Sequence, residues 1–287
     1  MNHLKEKLRK RKFSITVELE PPKGVDTSKL LQAVNDLKGV VDAVNITDGP
    51  MANMRTSAIA LAHHIKTETG VESIFHLTCR DRNTIALQSE LLGASVLGAN
   101  NLLVLTGDEP TRGDHPDATG VFQVDSVGLV NVVNTLNKGY DLAGNQLNAP
   151  TEFMIGVAAN PCAENLEKEV EKLEKKVEKG VHFIQTQPVY DIKDLQKFTN
   201  CVEKLNVPVL CGILPLKSYK MAQSISKNVP GIKIPDSILK RMELGGQEEG
   251  IKIAGEFLKE ARAYCNGVHI MPLGNTKLSL EILEYSE

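Results

Sequence analysis

The sequence predicts a (β/α)8 barrel, and three observations carry that reading. Eight short apolar runs rich in β-branched residues recur along the chain, and each is followed by a helical pattern. Polar residues collect at the C-terminal ends of the runs, where barrels of this kind hold their ligands. The length of 287 residues fits eight such units in one catalytic domain spanning residues 1–287. An open doubly wound sheet is the other architecture the same alternation permits.

The elements follow in order. Residues 5–12 are basic, with Leu4 and Leu8 at helical spacing, which reads as a short amphipathic helix rather than a nucleic-acid arm. Residues 13–19 (FSITVEL) form the first strand, ended by Pro21 and Pro22. Asp26, Thr27 and Ser28 then start a helix with Leu30, Leu31, Val34 and Leu37 on one face. The second strand is 40–46 (VVDAVNI), followed by a helix over 57–69. The third is 71–77 (VESIFHL), followed by a helix over 84–98. The fourth, NLLVL, runs straight into Thr106, Gly107 and Asp108.

A long polar segment, 109–123, comes next, and structureless segments of that length tend to be functional. Asp125 starts a helix to Leu136, and the fifth strand is 152–159. Residues 165–179 (NLEKEVEKLEKKVEK) give the clearest helix, with Leu166, Val170, Leu173 and Val177 as its apolar stripe and Gly180 at its end. Strands are expected at 181–186, 207–214 and 268–271. Helices fill 191–203, 218–227, 236–242 and 248–266, and a closing helix begins at Thr276.

Composition narrows the function. A net charge of −3 and a pI near 6.2 give no footprint for nucleic acid or a membrane surface. No run approaches the roughly 18 apolar residues of a membrane span, and no signal-peptide core follows Met1, so a cytoplasmic location is expected. The five cysteines show neither a paired framework nor metal-ligand spacing. Neither GxGxxG nor GxxxxGK[ST] occurs, so a bound nucleotide must be held in another way.

In a barrel, the strand ends bring Glu18, Glu20, Thr47, Asp48, His76, Thr78, Thr106, Asp108, Asn160, Gln185 and Gln187 to one mouth. Residues two apart on a strand share a face, so Glu18 and Glu20 could both look into the barrel, but Glu20 reads better as a rim residue and Glu18, deeper in an apolar strand, as a functional one. Two close carboxylates, or one beneath an apolar ring, have a raised pKa and suit general-acid work. His76 reads equally as a core residue or a ligand contact. Gly107 lets a ligand approach the backbone beside Asp108.

Six segments occur in order: VELEPP at 17–22, NITDG at 45–49, HLTC at 76–79, LTGD at 105–108, TQP at 186–188 and GILP at 212–215. Together they resemble the methylenetetrahydrofolate reductase family over nearly the whole chain. The resemblance implies FAD bound without a Rossmann motif and hydride transfer from reduced flavin to 5,10-methylenetetrahydrofolate, giving 5-methyltetrahydrofolate. Glu18 matches the family's general acid. Asp108 matches an aspartate beside flavin and pterin that acts electrostatically on cationic folate species. Thr47, His76, Leu105, Thr106, Gly107, Asp108, Phe122, Ala158, Glu169 and Lys176 match flavin-contacting positions. Gln187 and Tyr219, with Glu18 and Asp108, match positions that contact folate.

Three departures stand out. Thr106 occupies a position where some relatives carry arginine, Phe122 one where tyrosine is common, and residues 160–163 lack a histidine found nearby in others. HLTCRDRN and HIMPLG resemble the branch found in anaerobic and acetogenic bacteria, in which an iron–sulfur subunit can accompany the barrel. NADH or NADPH is the other donor implied, and a homo-oligomer is compatible with the same resemblance. Two further readings remain: a folate-binding barrel methyltransferase, and a folate- or flavin-binding subunit of a larger complex.

Overall fold

In the computed structural model, which describes residues 3–286, the alternation of runs closes into a parallel barrel in the order β1 to β8, with β8 pairing back onto β1. The strands are β1 (Ser14–Leu19), β2 (Ala43–Ile46), β3 (Ser73–Thr78), β4 (Asn101–Leu105), β5 (Met154–Ala159), β6 (Phe183–Pro188), β7 (Val209–Ile213) and β8 (Gly267–Ile270). The doubly wound alternative is excluded by that closure. Several strands start two or three residues later than the apolar runs. Val40, Val71 and Val181 are apolar but lie on the turns entering their strands, where hydrophobicity does not distinguish a turn from a strand.

The helices are α1 (His3–Arg9), α2 (Ser28–Leu37), α3 (Ala58–Thr69), α4 (Thr84–Val96), α5 (Ser126–Asn137), α6 (Leu166–Glu178), α7 (Ile192–Val202), α8 (Tyr219–Asn228), α9 (Asp236–Ala261) and α10 (Lys277–Tyr285). Six of them start on a side chain that accepts from the first turn: Ser57, Asn83, Asp125, Asn165, Asp191 and Ser218. Each such cap stabilises its helix by about 1 kcal/mol. At α2 the cap fails, because Asp26 turns onto Ser28 and Thr27 caps nothing with its side chain. The two helices expected at 236–242 and 248–266 form one element bent at Gly246, whose φ of 58° and ψ of −145° only glycine adopts freely.

Pleating puts alternate residues inside the barrel, and this defines its layers. Val17, Val44, Phe75, Val104, Val157 and Val268 face outward into the core shared with the helices. The floor of the interior is Ala43, Ile74, Leu103, Met154, Phe183 and Leu210. Gly156 sits there because a Cβ would lie 2.1 Å from the Phe183 ring. The basic N-terminal run plugs this floor: Leu4 and Leu8 of α1 are buried against it, while Lys7 pairs with Asp42 at 2.7 Å. Burying two leucines contributes about 1.5–3 kcal/mol each. The plug closes the N-terminal end and leaves the C-terminal mouth as the open one.

The long polar segment walls that mouth. It makes a 3-10 turn at Pro110–Arg112 and returns beside β3, where Val121 N–H donates to Arg80 O and Phe122 N–H to Cys79 O. Asp114 accepts from Lys23 Nζ and from Met54 N, tying together the loops after β1, β2 and β4. Those bonds, the Lys23 one foremost, hold the Asp114 carboxyl well below the usual range. Among the described residues no helix is long and apolar enough to cross a membrane.

Candidate active site at the barrel mouth

A cavity of about 420 Å³ opens at the C-terminal strand ends, within the range of small-molecule sites. Glu18, Thr47, His76, Leu105, Thr106, Gly107, Asp108, Ala158 and Gln187 all line it, together with Gln185 and Arg80. Phe122, Glu169, Lys176 and Tyr219 stand outside this lining.

Glu18 points inward and is about a quarter exposed. Glu20, two residues on, does not join it: it lies beyond the strand end on the rim and pairs with Arg55. Glu20 is thus the rim residue the sequence favoured, and the two carboxylates do not pair, since the chain leaves β1 before Glu20 and Arg55 draws it outward. The partner of Glu18 is His269, whose Nε2 stands 3.6 Å from Glu18 Oε2 and has no hydrogen bond among the described residues. That separation is longer than a hydrogen bond, and it is an ion pair only when the imidazole is protonated. Burial pushes the Glu18 carboxyl up, but the His269 contact and the charge that His269 and His76 carry when protonated outweigh it, leaving the pKa lowered. This is opposite to the raised value that a general acid needs. His76 is itself pushed down to about 4, mainly by burial, so it is neutral at pH 7 and lends Glu18 no charge there.

Behind this pair lies a buried polar layer. Thr16 Oγ1 is 3.0 Å and Asn45 Nδ2 3.2 Å from His269 Nδ1, and Asn45 Oδ1 is 3.1 Å from His76 Nε2. Asp48 accepts from Thr78 N, Thr78 Oγ1 and Arg82 Nη1, each at 2.9 Å, and so clamps the ends of β2 and β3.

Asp108 is less enclosed, with 44% of its side chain exposed and Arg112 Nη1 3.6 Å away. Gly107 before it has φ +94°, and a Cβ would come within 3.0–3.1 Å of Thr78 and Arg80. Arg80 reaches the cavity lining while only 4% exposed, its guanidinium bound to both Asp81 oxygens and to Gly49 O. These bonds use three of its five N–H donors. Thr106 brings no charge to the mouth, but Arg80 on the neighbouring loop does.

Glu169 and Lys176 clamp α6 to the end of β5: Glu169 Oε1 accepts from Asn160 N at 2.8 Å and Lys176 Nζ donates to Ala158 O at 3.0 Å. The buried stripe of α6 is Val170, Leu173 and Lys176, with Leu166 and Val177 only partly covered. Tyr219 opens α8, accepts from Gln223 Nε2, and packs on a satellite cluster that includes Tyr190, Leu216 and Met242.

Burial pushes the Lys176 ammonium down to about 8, with Lys172 adding to the effect. Between pH 8 and the unfolded value of 10.5 the unfolded chain binds the extra proton, so stability from this group rises with pH across that window. Urea titrations of wild type and Lys176→Met at pH 7 and pH 10 should show their difference moving toward wild type by roughly 2–3 kcal/mol. A pH-independent difference would contradict the burial cost.

Barrel and site together define a parallel (β/α)8 protein with acid–base groups in its mouth. The sequence matches the methylenetetrahydrofolate reductase family over residues 3–287, and the chain belongs to that family. It is 25% identical over 266 residues to methylenetetrahydrofolate reductase 1 of Schizosaccharomyces pombe, covering 88% of this chain but 42% of the yeast protein. It is 24% identical over 231 residues to 5,10-methylenetetrahydrofolate reductase of Escherichia coli, covering 78% of this chain and 71% of that one. The chain thus spans less than half of the yeast relative. A solved Clostridium thermocellum protein, described as uncharacterized and binding two copies of 5-methyl-5,6,7,8-tetrahydrofolic acid, shares the fold. Its TM-score is 0.65 at 16% identity, covering 99% of this chain and 97% of that one.

Proposed function

We propose that the chain reduces 5,10-methylenetetrahydrofolate to 5-methyltetrahydrofolate with FAD as its cofactor. The observation that carries the reading is the convergence of Glu18, Asp108 and buried, unpartnered polar atoms on one cavity in a member of this family. Among the described residues, Thr47 Oγ1 and Gln185 Oε1 on the lining, and His269 Nε2 beside Glu18, are buried without a hydrogen bond, and such atoms call for a ligand or water.

These residues fit a flavin. Gly107 presents backbone without a side chain, Thr47 and Gln185 offer free hydrogen-bonding atoms, and Arg80 retains N–H donors for anionic groups. Lys176, with a single carbonyl acceptor, has ammonium donors to spare beside β5. A bound, reduced flavin supplies the hydride. The protein does the rest. A fused-ring substrate over Glu18 excludes the water that still reaches it and pushes its pKa up, countering the lowering by His269. Glu18 then donates a proton to folate N10, which opens the five-membered ring to the N5 iminium. His269 N–H steadies the carboxylate left behind. Asp108 stabilises the cationic iminium through its charge, and Gln187 and Tyr219 bind the folate.

Purified protein should bind FAD tightly, seen as a yellow, protein-quenched flavin after reconstitution. Protein that stays colourless but binds methyltetrahydrofolate would replace this reading with the methyltransferase one. Anaerobic addition of NADH, NADPH or reduced ferredoxin identifies the donor: reduction by either nicotinamide assigns it directly, and reduction by ferredoxin alone assigns an iron–sulfur partner.

A further inference from the structure

We infer that Asn45 is the positioning residue that sets the tautomers of His269 and His76, so that one ring offers a proton to Glu18 and the other offers a bare nitrogen to the cavity. Asn45 opens the NITDG segment, but no role is attached to it there. It is a fully buried polar residue in the middle of β2, and its amide bridges two imidazoles.

The chemistry of the amide dictates the outcome. Its NH2 can only donate and its carbonyl can only accept. Nδ2 faces His269 Nδ1, so that nitrogen is unprotonated and the proton of the neutral ring sits on Nε2, the atom 3.6 Å from Glu18. Oδ1 faces His76 Nε2, so the proton of His76 sits there and Nδ1 is left bare on a ring that lines the cavity. Thr16 conforms to either arrangement, because its hydroxyl donates to His269 Nδ1 or to Val268 O. The hydroxyl reinforces the choice, and the amide makes it. The bridge exists because β1 lies between β2 and β8 and carries only threonine at this level, with Thr16 beside His269 and Glu18 beside Asn45 in register. The opposite tautomer of His269 would turn a lone pair toward an ionised Glu18, and two acceptors would face each other.

The tautomers are a property of the ligand-free chain. Only their use by Glu18 rests on the proposed reductase activity, and the two are tested separately. Long-range proton–nitrogen NMR on full-length protein labelled with 15N-histidine, at pH 8, distinguishes protonated from bare ring nitrogens. His76→Gln and His269→Gln assign the signals. Wild type should show His269 protonated at Nε2 and His76 also at Nε2. Asn45→Asp offers His269 only acceptors and should move its proton to Nδ1 or protonate both nitrogens. The folate half-reaction should slow about tenfold or more while FAD affinity stays within twofold. If Asn45→Asp does not fold, Asn45→Leu should give His269 a mixture of tautomers. Wild-type His269 protonated at Nδ1, or an unchanged pure Nε2–H tautomer in the variants, would overturn the assignment. The assigned tautomers in wild type and their change in Asn45→Asp, together with no folate reduction by wild type, would leave the assignment standing and remove the reductase reading instead.

Discussion

Glu18→Gln should keep its fold and its flavin and still accept electrons from the donor, yet reduce methylenetetrahydrofolate about 10²–10⁴-fold more slowly. Glutamine matches the shape of the side chain and keeps a carbonyl oxygen facing His269 Nε2, so packing and the neighbouring ring are preserved. What it lacks is a proton to give to folate N10. Separate measurement of the two half-reactions by anaerobic stopped flow makes the comparison clean. Equal slowing of flavin reduction and folate reduction would make Glu18 a structural or shared-donor residue and not the acid.

Asp108→Asn removes a charge without removing a shape. The folate half-reaction should slow by about 10²-fold, the lower end of what one electrostatic group contributes, because nearly half of the Asp108 side chain remains in water that screens its charge. Folding should change little, since its nearest cation, Arg112, is itself exposed and 3.6 Å away. An unchanged folate rate in this variant would show that the iminium is stabilised elsewhere. The two substitutions also differ in kind: raising the pH should slow wild type by deprotonating Glu18, and Asp108→Asn should keep that dependence whereas Glu18→Gln loses it.

The alternation of runs was enough to read the barrel from the sequence, because each β/α unit carries its own periodicity and six helices carry their own side-chain cap. Ser57, Asn83, Asp125 and Asn165 act locally, so their positions fix helix starts without tertiary help. Where the chain enters a strand was less legible: Val40 and Val181 are as apolar as the residues that pair. Glu18, Asp108 and the glycine before it could be found as polar groups at the ends of apolar runs. Glu20 could not be separated from Glu18 by spacing, because the outcome depends on where the chain leaves the strand and on Arg55, 35 residues away.

Asn45 and His269 open the NITDG and HIMPLG segments, and each is a polar residue at an inward position of an apolar strand. Their proximity was not readable, since it follows from closure of the barrel across β1. The same holds for Arg80. Its place at the mouth depends on the turn after β3 and on its bonds to Asp81 and Gly49, which no periodicity encodes. Lys176 is a related case: the alternating charges of its helix give no sign of burial, yet it lies on the buried stripe with its amine on Ala158 O.

The most direct test mixes photoreduced, FAD-reconstituted protein with 5,10-methylenetetrahydrofolate in the absence of oxygen and of any other donor. The flavin absorbance should return as 5-methyltetrahydrofolate appears in equal amount. Reduced flavin that persists in the presence of bound folate would contradict the account.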